Sequence, residues 1–150
     1  MKNINSNLSW SKQVVKLLYQ KGVRYACISP GSRNSPLMYQ LINNSKIQCY
    51  SHLDERSGSF FALGIAKKTK SPVVILTTSG TATANLFPAI IESSMSMVPL
   101  IIITADRPKH LINTGENQTI NQKNIYGDYV RSSVDISHKR TFGTLKKIDK

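Results

Sequence analysis

Acidic side chains are scarce in this sequence. Eight Asp and Glu stand against 20 Lys and Arg, leaving a formal charge of +12 at pH 7. Such a balance invites a nucleic-acid partner, so its distribution matters. Residues 1–24 hold five bases and no acid, residues 25–108 seven against four, and residues 109–150 eight against four. The surplus is spread along the chain, no Lys/Arg cluster interleaves with aromatics, and no helix-turn-helix, RRM or zinc-finger signature appears. A lysine-rich solvated surface accounts for the charge, and no nucleic-acid partner is expected. An anionic small substrate is a further use for it and needs only one or two well-placed arginines.

Cysteine is nearly absent too. Cys27 and Cys49 lack Cys-x-x-Cys spacing and a histidine cluster, which leaves buried thiols as the reading and excludes a cysteine-ligated metal. Long apolar runs are missing. The longest, residues 98–105, is broken by Pro99 and Thr104 and falls far short of the roughly 20 residues a membrane span requires, so no transmembrane segment is expected. The opening stretch MKNINSNLSW has no apolar signal core, which makes a cytoplasmic address the expectation. With 40% apolar and 19% charged residues the composition is ordinary for a globular protein, and 150 residues allow one domain with a substantial core.

Periodicity gives an outline. Ser9 can cap a helix carrying Val14, Val15, Leu17 and Leu18, with Gly22 at its C-terminal end. Residues 23–29 read as a buried strand, residues 32–34 as a cap for a helix over 35–42, and residues 47–51 as a second strand. Residues 55–68 predict a helix whose C-terminal lysines suit the dipole. Residues 73–77 read as a strand buried on both faces, residues 81–94 as one helix, and residues 100–105 as another two-sided apolar strand. Residues 129–136 are a further strand candidate, and the tail from about 137 is expected to be mobile. Short apolar strands alternating with helices predict an α/β fold, a doubly wound parallel sheet with helices on both faces. Ligands of such sheets bind beyond the carboxyl ends of the strands, which selects residues 29–35, 51–56, 78–82 and 104–108.

Within those segments, Ile28-Ser-Pro-Gly-Ser-Arg-Asn-Ser-Pro36 sets a glycine turn, hydroxyls and Arg33 before a helix start. It reads either as an anion site or as an ordinary capped turn, and it is neither a Walker A loop nor a Gly-x-Gly-x-x-Gly turn. Arg107 sits in an Asp-Arg-Pro turn that Asp106 can neutralise. Glu55 is one of three glutamates and falls where strand, loop and helix meet, open to a capping role or a chemical one. His52 reads as a packing histidine before a base or ligand. No Ser-His-Asp order, Cys-His pair or metal-ligand spacing emerges, so the residues themselves take the argument only as far as an anion-binding α/β domain.

Taken together, six segments resemble one family. They are Ile28-Ser-Pro-Gly-Ser-Arg-Asn-Ser-Pro-Leu37, His52-Leu-Asp-Glu-Arg56, Ala62-Leu-Gly-Ile-Ala-Lys67, Thr77-Thr-Ser-Gly-Thr-Ala82 with Ala84-Asn-Leu86, Thr104-Ala-Asp-Arg-Pro108 and Gly115-Glu-Asn-Gln-Thr-Ile120. In order and over about residues 8–122, the chain is similar to the N-terminal, pyrimidine-binding domain of the 2-succinyl-5-enolpyruvyl-6-hydroxy-3-cyclohexene-1-carboxylate synthases, thiamine-diphosphate enzymes of menaquinone and phylloquinone biosynthesis. The resemblance implies decarboxylation of 2-oxoglutarate and transfer of the succinyl unit to isochorismate. It implies that Glu55 is the catalytic, cofactor-binding glutamate facing N1′ of the aminopyrimidine, where Asp would be a methylene too short. It further implies that Ser32, Arg33, Arg107 and Gln118 bind the two dianionic substrates, the arginines by bidentate capture of carboxylates.

The chain also departs from that pattern. The family's Gly-Asp-Gly, which with a downstream Asn holds Mg2+ and the diphosphate, does not occur; Gly127-Asp128-Tyr129 is not one. The central and pyrophosphate-binding domains are therefore expected to be absent, and the chain to be a truncated form, a fragmentary gene product or half of a split enzyme. By the resemblance it pairs with the pyrophosphate-binding domain of another subunit in a homodimer or homotetramer, and alone it should be catalytically silent. The rival readings are an acetolactate-synthase-like thiamine-diphosphate enzyme and a non-catalytic basic binding module.

Overall fold

A computed structural model describes residues 2–136 and the side chains of residues 7–136, so the expected mobile tail from 137 lies outside the described residues. The chain alternates helix and strand: α1 (Lys2–Gln20), β1 (Tyr25–Ile28), α2 (Ser35–Ile42), β2 (Gln48–Ser51), α3 (Glu55–Thr69), β3 (Val73–Thr77), α4 (Thr81–Asn85), α5 (Phe87–Met95) and β4 (Leu100–Thr104). The strands form one parallel sheet in the order β2-β1-β3-β4. Chain direction across the sheet reverses between β1 and β3, the doubly wound arrangement that the alternating pattern predicts.

Period-two alternation divides the strand side chains between two cores. Ala26, Ile28, Val74 and Leu76 face α1 and α2, where Val14, Val15, Leu18, Leu37 and Leu41 close over them. Cys27, Val73 and Ile75 face α3 and α5, against Ala62, Ala66, Leu86 and Ile90. All five residues of β3 are buried, as a central parallel strand covered on both sides must be.

Four expectations are corrected. Helix α1 does not begin at Ser9 but passes through it from Lys2, because Trp10 and the buried Ser11 continue the inward stripe of Val14, Val15 and Leu18 one turn earlier. Its far end is the expected one, with the Gly22 and Val23 amides donating to the carbonyls of Tyr19 and Leu18. The single helix over 81–94 is two helices that meet at Leu86. Pro88 lies in the first turn of α5, and in a continuous helix its ring would press on the carbonyl of Ala84. Strand β4 is only half-buried at every position, since among the described residues it pairs with β3 alone. Residues 129–136 form no strand: a 3-10 turn spans Gly127–Tyr129, and Tyr126 and Val130 pack on the α3/α5 side.

Of the two thiols, Cys27 is buried as expected, whereas Cys49 is half-buried on the edge strand β2. No helix among the described residues is long and apolar enough to cross a membrane.

Candidate active site

The carboxyl ends of β1, β3 and β4 converge on one crevice. Ladder bonds run past the strand ends into its walls, with Ser29 N donating to Leu76 O and Ala105 N to Thr77 O. The loop after β1 is drawn in by Asn34, which is buried and spends its amide on the backbone: Gly31 N donates to its Oδ1 at 2.9 Å and its Nδ2 donates to Ser29 O at 2.9 Å. Gly31 then lies so close to the loop after β3 that a Cβ there would fall 2.6 Å from Thr78 Cβ. The Gly31 amide, engaged by Asn34, is thus not free for an anion, which leaves the Arg33 side chain as this loop's cationic group. Ser32 is exposed, and its carbonyl accepts a hydrogen bond from the Ser35 hydroxyl.

Arg33 and Arg107, 74 positions apart in sequence, line one cavity of about 960 Å³ between the α1/α2 face and the end of β4. Its volume suits a small carboxylated molecule. The Arg107 guanidinium is held from behind: Nη2 donates to Asn117 O at 2.6 Å and Nε to the same oxygen at 3.2 Å, while Nη2 lies 3.4 Å from Glu116 Oε1. Asp106 shares the cavity. Burial, opposed by the Arg107 N–H on its Oδ1 and reinforced by the charge of Asp135, holds its carboxyl above the usual range.

Glu55 stands at the first position of α3. The cap of that helix belongs to its neighbour, Asp54, whose Oδ1 accepts from Ser57 N at 2.6 Å. Glu55 is half-buried, and its Oε2 receives a hydrogen bond from Asn85 Nδ2 at 3.1 Å, at the end of α4. It lies outside the lining of the arginine cavity, so the structure groups Arg33 with Arg107 and sets the carboxylate apart, against α4. Gln118 is exposed; its backbone, at φ +53°, crosses the β3–α4 turn and accepts from Ser79 Oγ at 2.9 Å. His52 packs on Phe61, with ring centroids 5.0 Å apart, and over Gly58, in keeping with a packing role.

A half-buried carboxylate released from capping duty, with one oxygen on a side-chain amide, fits a heteroaromatic ring that presents a nitrogen and an amino group. Among the described residues no group of three or more His, Cys, Asp or Glu is gathered to hold a metal ion. The Glu55 carboxylate is chemically suited to the aminopyrimidine of a thiamine coenzyme. Asn34, expected within residues 32–34 to cap the helix over 35–42, makes no side-chain cap bond and ties the loop before it instead; sequence reasoning gave Asn85 and Gln122 no role.

Comparison with known proteins agrees with the resemblance. Residues 8–125 match a family described as thiamine pyrophosphate enzyme, N-terminal TPP binding domain. Proteins from Histophilus somni (strain 129Pt) and Haemophilus influenzae (strain PittEE) are each 50% identical over 133 residues, covering 87% of this chain and 23% of theirs. One from Lysinibacillus sphaericus (strain C3-41) is 55% identical over 123 residues, 82% of this chain and 22% of its own. All three are named 2-succinyl-5-enolpyruvyl-6-hydroxy-3-cyclohexene-1-carboxylate synthase. The chain spans less than a quarter of the length of these relatives.

Proposed function

The chain belongs to the thiamine pyrophosphate enzymes by its N-terminal TPP-binding domain, and from that premise we propose that it is the N-terminal part of a synthase that decarboxylates 2-oxoglutarate and adds the succinyl unit to isochorismate. The product is 2-succinyl-5-enolpyruvyl-6-hydroxy-3-cyclohexene-1-carboxylate, an intermediate of menaquinone or phylloquinone biosynthesis. The active assembly is a cytoplasmic homo-oligomer, in which the pyrophosphate-binding domain of another subunit supplies the Mg2+ and diphosphate ligands.

One observation carries the substrate assignment: Arg33 and Arg107, from loops on either side of the sheet's switch point, meet on one cavity. Both proposed substrates are dianions, and two planar guanidinium forks beside the apolar walls of Leu76 and Ile103 suit carboxylates attached to a small carbon skeleton. Ser32 and Gln118 are exposed and lie outside the lining of that cavity; their part in the proposal is to offer a hydroxyl and an amide to the substrates' remaining oxygens from its edge.

When bound, the coenzyme supplies the electron sink for loss of carbon dioxide and acyl transfer. The part of Glu55 is to hold a hydrogen bond at N1′ of the aminopyrimidine with the carboxyl oxygen that Asn85 does not engage. Asn85, by engaging the other oxygen, would help to orient the carboxylate for that contact.

The test supplies the remaining domains of a relative as a second polypeptide or a fusion. Carbon dioxide release from 2-oxoglutarate in the presence of isochorismate is expected from the completed enzyme, and none from the 150-residue chain alone. Turnover of pyruvate in preference to 2-oxoglutarate would overturn the substrate assignment in favour of an acetolactate-synthase-like enzyme.

A further inference from the structure

We infer that Gln122 is a positioning residue, a side-chain latch that fixes the loop carrying Asn117 and Gln118 across the strand-end crevice and thereby aims Arg107. Its relevance to substrate rests on the synthase reading; the latch itself does not.

Gly80 N donates to Gln122 Oε1 at 2.8 Å, and Gln122 Nε2 donates to Ala105 O at 3.0 Å, with Thr104 Oγ1 at 3.4 Å. One amide thus ties the turn after β3 to the end of β4, the two banks of the crevice. Both bonds are needed, and they are of opposite sense. An N–H on one side requires an acceptor, and a carbonyl on the other requires a donor. An ionised carboxylate cannot donate and an ammonium cannot accept, whereas the glutamine amide does both at any pH.

The latch holds more than itself. Four residues earlier, Gln118 O accepts from Ser79 Oγ at 2.9 Å. Gly80, at φ +80°, lies against that same backbone, where a Cβ would meet the Gln118 Cα, C and O at 3.0 Å each. Residues 118–122 are therefore stapled to the β3–α4 turn at both ends, through bonds that span 39 and 42 positions of sequence. Asn117, the residue before the staple, carries the carbonyl that holds the Arg107 Nε and Nη2. Release of Gln122 leaves the segment held at its Gln118 end alone, and the slack reaches the neighbouring Asn117 carbonyl on which the guanidinium rests. Gln122 also lines the cavity shared by Arg33 and Arg107, so its loss is felt where the arginines act.

The experiment uses the 150-residue chain without ligand, and reads hydrogen exchange at Gly80 N–H, at Arg107 Nε–H and, as a fold control, at the amides of Val74 and Ile75. In Gln122→Met, which keeps the bulk and loses both bonds, exchange at Gly80 and Arg107 Nε is expected to quicken about ten-fold or more, with the β3 amides unchanged. Gln122→Glu adds a pH signature. Its carboxylate repels Ala105 O at pH 7, but once protonated it both accepts from Gly80 and donates to Ala105, so protection at Arg107 Nε should return as pH is lowered towards about 4. Unchanged Arg107 exchange in Gln122→Met overturns the latch. If Gln122→Met unfolds, the glutamate variant decides: absence of any pH-dependent return overturns the proposal. Neither readout needs a substrate, so failure here is separable from failure of the synthase reading, which appears only as turnover of the wrong 2-oxo acid.

Discussion

Asp54 caps helix α3 so that its neighbour Glu55 does not have to. The Asp54 carboxylate closes on Ser57 N at 2.6 Å, and Glu55 turns instead to Asn85 Nδ2 at 3.1 Å. Two adjacent acids at one helix start thus divide the work, and the division is measurable. Asp54→Ala should cost about 1 kcal/mol of stability, read as a lowered thermal midpoint. Glu55→Gln should leave the midpoint nearly unmoved while removing most turnover from the enzyme completed with its remaining domains. Near-normal turnover of Glu55→Gln would remove Glu55 from the chemistry, and a large fall in its midpoint would mean that the carboxylate is structural after all.

Arg107 is held by its own loop through Asn117 O, and Glu116 stands 3.4 Å from its Nη2. The Glu116 carboxylate is half-exposed and competes with any carboxylate that enters the cavity. Glu116→Gln should tighten binding of a dicarboxylate such as succinate by up to about five-fold, an exposed pair being worth no more than roughly 1 kcal/mol. Arg107→Ala should abolish it. Titration calorimetry at low ionic strength reads both, and equal affinity in wild type and Arg107→Ala would show that the cavity does not bind dianions through this guanidinium.

The crevice also depends on a close approach of its two loops. A Cβ at Gly31 would lie 2.6 Å from Thr78 Cβ and 2.8 Å from its Oγ1, and the contact cannot be relieved by rotating the threonine, since Cβ itself is in the way. Gly31→Ala should therefore destabilise the domain by about 1–3 kcal/mol. Thr78→Gly in the same chain should recover much of that loss, a coupling that distant sites do not have. Denaturant titration of the four variants closes the cycle; additive effects would place the strain elsewhere.

These contacts separate what the sequence discloses from what it does not. Residues 73–77 read directly as a buried strand because they are β-branched or apolar throughout between a Ser-Pro and a Ser-Gly, and the helix over 35–42 is found as expected although Asn34 gives it no side-chain cap and Pro36 stands in its first turn. The break at Leu86 was equally legible in Pro88, but the surrounding apolar residues keep a helical period through it and mask the interruption. Strand β4 looked two-sided because Leu100-Ile-Ile-Ile103 is; only sheet order reveals that it is an edge. For the site, the grouping of Arg33 with Arg107 follows from the strand-end rule, since both lie in loops that leave the carboxyl end of a strand. Gln122 follows no periodicity. Its partners lie 17 and 42 positions away, so its role exists only once the chain has folded.

Cys27 and Cys49 offer a test of the fold itself. Cys49 pairs in register with Ala26, and Cys27 with Tyr50, so the two thiols leave neighbouring strands on opposite faces of the sheet. Burial, and then the nearness of Cys49, pushes the Cys27 thiol from 9.0 up to about 12, and burial raises Cys49 as well. The thiolate is the reactive form, so iodoacetamide at pH 8 should modify the half-buried Cys49 first and reach Cys27 only as fast as the domain opens. The same shift sets an alkaline limit. Below pH 9 the Cys27 thiol is neutral in both states and its contribution is fully present; between 9 and about 12 the unfolded chain ionises while the folded one does not, and stability falls with rising pH. Tyr126, also held above its ordinary range by burial, adds to that decline. Cys27→Ala should flatten it, as read from thermal midpoints between pH 8 and about 11, whereas an unaltered alkaline slope or equal labelling of both thiols in the native protein would contradict the buried position of Cys27.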